Sequence, residues 1–197
     1  MGKPLSEMTL EELWQLFPII LEAPNPCWRQ WYAEEAALLQ TLLPAETRIS
    51  HIGSTAIHGI WAKPIVDILV EVPQAIGLEA AGAKLSQGGY RCMSRSDTRR
   101  SYNKGYTENG FAERVFHLHL RVAGDHDELY FRDYLNDHPA IAKEYEQLKL
   151  SLWKEYEHDR DGYTAAKAAF VARHTLAAKQ QYGNRYEMIA PSKEQTE

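Results

Sequence analysis

The sequence predicts a single α+β (α/β) domain, a mixed sheet flanked by helices, with a helical lead before it and a helical layer after it. Three observations carry this expectation. Apolar residues recur at helical spacing near both ends of the chain. The middle holds short runs rich in β-branched residues, one of them in strict alternation, and a helix-patterned segment interrupts those runs. A chain of 197 residues is close to one domain at roughly 150 residues each. Its 44% hydrophobic and 25% charged residues are ordinary globular usage, which argues against disorder.

The elements follow in order. Thr9-Leu10-Glu11-Glu12 is a capping box, so a short helix carrying Leu13, Leu16 and Phe17 starts there and stops near Pro18. Asn25-Pro26 opens a second helix, with Trp28, Tyr32, Leu39 and Leu42 on one face and Pro44 at its end. Residues 48–52 are strand-like. Residues 64–72 (PIVDILVEV) read as a buried strand. Residues 77–87 read as a helix closed by Gly88-Gly89. Residues 115–122 (VFHLHLRV) alternate with period two, which puts His117 and His119 on one face. From Asp127 the pattern is helical: Ile141, Tyr145, Leu148 and Leu152 share a face, and a last helix runs from about Tyr163 to Lys179. The domain is expected over 1–183, with a polar, fraying tail over 184–197.

Composition narrows the function classes. With 22 basic against 27 acidic side chains, net −5, a basic coat for nucleic acid is not expected. No apolar run reaches the roughly 18–20 residues of a membrane span, and residues 1–6 are not a secretion signal. Two cysteines, Cys27 and Cys92, neither build a zinc cage nor suggest a disulfide framework. A cytoplasmic protein is the expectation, and its oligomeric state is open. One local excess stands out: Arg91, Arg95, Arg99, Arg100 and Lys104 against Asp97, either a solvated hairpin or a clamp for an anion.

The chemistry concentrates in His51-Ile-Gly-Ser-Thr-Ala and in Lys63-Pro64-Ile-Val-Asp67. A strand runs into Gly53, which has no Cβ and lets backbone approach a ligand. Ser54 and Thr55 then open a turn whose N–H groups suit a phosphate. Asp67, on an otherwise apolar strand, is a hard oxygen ligand suited to Mg²⁺, and Lys63 adds positive charge nearby. The plain alternative is an ordinary turn beside a paired carboxylate; the two features together favour a site.

These residues resemble the GrpB family, small bacterial proteins with a nucleotidyltransferase-like fold. The likeness rests on the two motifs above together with His117-Leu-His119, Phe131-Arg132-Asp133, His138-Pro139, Tyr145-Glu-Gln-Leu-Lys149 and Tyr163-Thr-Ala-Ala-Lys167-Ala-Ala-Phe170. It spans about residues 10–180. It implies a nucleoside triphosphate or another phosphorylated small molecule as ligand, with Mg²⁺ or another divalent cation. Gly53, Ser54, Thr55, Lys63, Arg132, Lys149 and Lys167 are then the phosphate-binding candidates, Asp67 and His119 the metal candidates, and Asp67, His119 and His117 the catalytic ones, with His51 in support.

The pattern departs from the superfamily at one point. Two-metal transfer uses Asp-x-Asp plus a third carboxylate on a later strand, whereas here position +2 is Leu69 and the later strand offers His117 and His119. Glu71 is about 13 Å from Asp67 along a strand, so Glu71, Asp125 or Glu113 must fold back if any acid is to substitute. Three roles fit the two histidines: metal ligands with Asp67, a general base, or buried and hydrogen-bonded core. Arg132 is either a salt-bridge partner or a phosphate clamp, and Lys149 and Lys167 either solvated or ligand-binding. His51 either orients the loop or faces the core. Three functions follow: a metal-dependent nucleotidyltransferase, a catalytically inactive nucleotide-binding or regulatory module, or a metal-dependent hydrolase built on Asp67, His117 and His119.

Overall fold

The computed structural model describes residues 3–187. The lead is α1 (Leu10–Leu16) and α2 (Cys27–Leu42). Both bonds of the Thr9–Glu12 capping box form, and Asn25 Oδ1 accepts the Cys27 N–H at 2.9 Å. The sheet is built from β1 (Arg48–Ile52), β2 (Ile65–Val72), β3 (Arg91–Arg95), β4 (Arg99–Thr107) and β5 (Gly110–Val122), in the order β1-β2-β5-β4-β3. Only β2 and β5 run parallel; the other neighbours are antiparallel. The crossover between β2 and β5 contains α3 (Leu78–Gln87) and the β3–β4 hairpin. The helical layer is α4 (Asp127–Asp137), α5 (Pro139–Trp153) and α6 (Arg160–Tyr182).

The sheet has two unlike faces, as the alternation of strand side chains requires. On one face Val66, Ile68, Val70 and Val72 of β2 meet Phe116, Leu118 and Leu120 of β5 and Tyr102 of β4, under Trp28 and Leu39 of α2 and Leu78 and Leu85 of α3. On the other face the register places Asp67 beside His117 and His117 beside Asn103, with Leu69, His119 and Ser101 in the next row. A second apolar cluster joins Phe131 and Leu135 of α4 and Tyr145 of α5 to Ile57 and Ile60 of the β1–β2 loop. That cluster ties the helical layer to the loop that carries the Gly-Ser motif.

Of two segments read only in outline from the sequence, 91–104 takes the hairpin alternative, and the start of the polar tail packs rather than frays. Residues 91–104 form most of an edge hairpin in which three of the five cations are paired within the fold, Arg99 with Asp125, Arg100 with Glu79 and Lys104 with Glu35, while Arg91 and Arg95 lie exposed on the edge strand. The three paired cations are not a free anion clamp. After Gly183, residues 184–187 turn back onto α4, where Tyr186 packs edge-on to Tyr130 with ring centroids 5.0 Å apart; the rest of the polar segment, 188–197, lies outside the described residues. Among the described residues no helix is long and apolar enough to cross a membrane.

Leu118, fully buried at the centre of the apolar face, tests this arrangement. Leu118→Ala leaves a cavity between two layers and is expected to lower unfolding free energy by about 2–5 kcal/mol, read as a lower urea midpoint at unchanged slope.

Candidate functional site

The β1–β2 connection is shaped by its glycine. Gly53 has φ +71° and ψ −173°, a region that L side chains avoid, and a Cβ there would collide with the Asp67 carboxylate. The Gly-Ser backbone therefore lies directly against Asp67. Ser54–Ala56 is a single 3-10 turn, too short to build the dipole of a helix terminus. Thr55 points inward, its Oγ1 donating to the Ile65 carbonyl and bonded at 3.0 Å to His51 Nε2. His51 in turn stacks on Tyr32, centroids 4.6 Å apart. Burial lowers its pKa to about 4, against the opposing pull of Asp67, so it is neutral at pH 7 and orients the loop from the core side.

Asp67 and the two histidines do come together: His117 Nδ1 and His119 Nε2 each lie 3.5 Å from Asp67 Oδ1. Burial pushes the Asp67 pKa up, but the hydrogen bonds from His117 and then His119 outweigh it and hold the carboxyl below its ordinary range. Asp67 is ionised. His117, pushed down chiefly by burial, is neutral. Its Nε2 lies 2.6 Å from Tyr106 Oη, so the consistent tautomer donates from Nδ1 to Asp67 and accepts from Tyr106 at Nε2. Tyr106 also meets Arg160, and burial raises its pKa to about 12. The result is a polar line, Arg160–Tyr106–His117–Asp67, across the open face of the sheet.

The lysines complete the site. Lys63 and Lys167 both lie over the Tyr163 ring, at 4.9 and 4.0 Å from its centroid. Lys149 lies 4.9 Å from the Tyr145 centroid and donates to the Trp61 carbonyl. Tyr145 is itself hydrogen-bonded to Ser54. Burial lowers Lys63 to a pKa of about 7, followed by repulsion from Lys167 and Arg160. Lys149 also falls to about 7 through burial and then Lys167, and Lys167 to about 8 through burial. Among the described residues none of the three pairs with a carboxylate. Helix α5 fixes the loop above them, with Glu146 accepting the Trp61 N–H at 2.6 Å and Lys143 donating to the Gly59 carbonyl at 2.7 Å. From α4, Asn136 binds the His58 N–H and the Ala56 carbonyl.

Gly53, Ser54, Lys63, Asp67, His117, His119, Lys149 and Lys167 thus share one site, with Thr55 and His51 as its support. Arg132 does not belong to it. Its guanidinium is taken up by Asp133, the His51 carbonyl and Tyr186, so it ties α4 to β1 and is no phosphate clamp. None of the acids considered as substitutes folds back: Glu71 is paired with Arg48 and His126, Asp125 with Arg99 and Arg121, and Glu113 is exposed. Leu69 is fully buried against Ile52 and Leu129. Sequence reasoning missed Arg160, Tyr106 and Asn136. For Arg160 a local signal exists in Asp159, which caps α6 by accepting the Gly162 N–H at 2.8 Å; Tyr106 and Asn136 reach the site only through tertiary packing.

The donor set does not fit a resident Mg²⁺. Magnesium asks for several oxygens in octahedral array, and Asp67 supplies one carboxylate flanked by imidazoles and ammonium groups. The Asp67–His117–His119 trio is equally unsuited to a hydrolytic metal, because both ring nitrogens of His117 are engaged. Among the described residues no three His, Cys, Asp or Glu side chains are arranged to hold a metal ion.

The family model described as GrpB protein matches residues 18–176. The chain belongs to the GrpB family. The glutamate-rich protein GrpB of Alkalihalophilus pseudofirmus is 37% identical over 78% of this chain and 91% of its own length. A UPF0157 protein of Pseudomonas aeruginosa is 36% identical over 76% of this chain, which spans 63% of that relative. The crystal structure of conserved protein GrpB from Enterococcus faecalis superposes with TM-score 0.71 at 30% identity, over 83% of this chain and 99% of that one. A structure of the Cid1 poly(U) polymerase bound to MgATP superposes with TM-score only 0.42 at 13% identity, over 72% of this chain and 47% of that one.

Gly53→Ala tests the contact on which the site is built. It is expected to cost about 1–3 kcal/mol from backbone strain alone, and more because Asp67 must move. Urea unfolding of the variant reads the loss; unchanged stability would contradict the close approach.

Proposed function

We propose that the pocket beside Asp67 recognises the phosphate groups of a small phosphorylated molecule, with a nucleoside triphosphate the first candidate. The observation that carries this reading is the group of three lysine amines held on two tyrosine faces, joined by Arg160, without carboxylate partners. Enclosing unpaired ammonium groups is costly, and such perturbed clusters concentrate at functional sites. Phosphate oxygens would accept charge-assisted hydrogen bonds from all four cations, whereas the close approach that Gly53 allows is taken up by Asp67. Of the earlier alternatives, a nucleotide-binding module on a nucleotidyltransferase-like fold agrees best with these residues. Two-metal transfer lacks its second and third acids, since Leu69 is core and among the described residues no distant carboxylate replaces it.

Calorimetric titration with inorganic pyrophosphate and with ATP, each with and without Mg²⁺, tests the reading. Binding without metal is expected, weakened about tenfold or more by Lys63→Gln or Lys167→Gln. Asp67→Asn removes a repelling charge and is expected to bind pyrophosphate at least as tightly as the parent. Failure of both ligands to bind would overturn the proposal, and loss of binding in Asp67→Asn would restore a metal bridge.

The pH dependence has a definite sign. An anion favours charged lysines, whose pKa values in the free protein are about 7, 7 and 8, so affinity should be full near pH 6 and fall as pH rises through 7 to 9. Binding at pH 8 should take up protons, seen as a dependence of the apparent heat on the buffer's ionisation enthalpy. The same shifts affect stability oppositely. The unfolded chain binds more protons on these lysines above pH 7, so their contribution to stability rises with pH toward the ordinary lysine range.

A further inference from the structure

A cavity of about 550 Å³ lies under the N-terminal helix and opens onto the anion site. Its size is that of a small-molecule pocket. Trp14 and Phe17, Trp31 from α2, and Phe111 and Val115 from β5 give it an apolar, aromatic wall. Lys63, Tyr106 and Arg160 line it as well, and these are the residues that belong to the lysine cluster and the Asp67 line. The cavity is therefore continuous with that site and carries Lys63 and Arg160 at its junction, with the exposed Glu22, Arg91 and Glu113 also on its lining. On the sheet floor Asn103, only 4% exposed, also lines it. Asn103 Oδ1 is buried and has no hydrogen-bond partner. A buried amide oxygen left unpaired is costly, and on a residue that lines the cavity it is an unsatisfied acceptor that a small side-chain rotation would offer to a ligand N–H or O–H. Leu5, Leu10, Leu13, Trp14 and Phe17, which close the cavity on one side, precede the span 18–176 matched by the family model.

We infer that this cavity is a second subsite for the same ligand, taking an apolar body that carries one hydrogen-bond donor while its anionic end reaches Lys63 and Arg160. The inference rests on the anion-site reading for the ligand's charged end. It narrows the ligand class to a phosphorylated molecule with a largely apolar, ring-bearing remainder, the donor meeting Asn103 and the ring lying among Trp14, Phe17 and Phe111. A highly polar remainder such as a ribose would leave its groups unpaired against that wall, so on this inference a phosphate with an apolar ring body replaces the nucleoside triphosphate as the first candidate.

The probe is 1-anilinonaphthalene-8-sulfonate, which joins an apolar ring system, one N–H and one anion, titrated by fluorescence into the full chain. Saturable binding at one site per chain is expected. Ala112→Trp and Ile20→Trp, each filling the cavity from a different wall at an exposed position, should abolish it, and Asn103→Leu should weaken it about fivefold or more. Circular dichroism checks that each variant is folded, and either filling variant suffices if the other is not. Absence of saturable binding, or binding indifferent to a folded filling variant, overturns the inference. Pyrophosphate titration of the same filling variants separates the two readings: retained pyrophosphate binding with no probe binding in the parent defeats the subsite alone, whereas probe binding without pyrophosphate binding defeats the anion site alone.

Discussion

Positive charge held out of water is the constraint around which the polar face of the sheet is organised. Lys63, Lys149 and Lys167 keep their amines against the faces of Tyr163 and Tyr145, a cation–π arrangement that offsets part of the lost hydration. The nearest carboxylates do not neutralise them. Asp67 is bracketed by His117 and His119, and Glu146 is held by Lys143 and the Trp61 N–H. The depressed lysine pKa values measure how far the fold disfavours these charges. An anion entering the pocket reverses that balance, and the tyrosine faces, the pinned 56–61 loop and the start of α6 are the parts that keep the cations in place until it does.

The opposite face of the sheet makes this possible. Val66, Ile68 and Val70 of β2 alternate with Asp67 and Leu69, so a single strand belongs to the main apolar core and to the site at once. β5 does the same with Phe116, Leu118 and Leu120 against His117 and His119. Burial of the apolar face fixes the register, since a slip of one residue would bury the carboxylate and the imidazoles in hydrocarbon. The geometry of Asp67 and the histidines is therefore enforced by side chains that never touch a ligand.

Much of this was legible in the sequence, for reasons that differ by element. The PIVDILVEV and VFHLHLRV patterns name both central strands and the face of each polar residue, because strand period is local information. At Gly53 the sequence pointed to a close backbone approach but not to its partner: the group it approaches is Asp67 of β2, which only the strand pairing brings there. Family motifs pointed to Lys149 and Lys167, which no helix pattern distinguishes from solvated lysines. The β3–β4 hairpin was harder, since its exposed edge strand carries Arg91, Met93 and Arg95 with no apolar alternation. Arg132 misled because its motif position says nothing of its partners: besides the adjacent Asp133, they come from β1 and residues 184–187, far away in the chain. Arg160, some thirty residues beyond Arg132, is the arginine that stands beside Tyr106 and Lys63, because α6 begins next to the polar line.

The cavity and the lysine cluster must be considered as one volume, because Lys63 and Arg160 contribute to both. A ligand that filled only the anion end would leave an aromatic chamber open beside its own charge, with water free to screen the lysines. A ligand that also filled the chamber would exclude that water and lower the local dielectric, strengthening each lysine–phosphate contact. The two ends are then coupled through the same side chains, and the apolar remainder of the ligand sets how strongly the phosphate is held. On the proposed reading selectivity would follow from that coupling: the lysines ask only for an anion, whereas the wall built by α1, Trp31 and Phe111, with the unpaired Asn103 amide in its floor, would decide which anion stays.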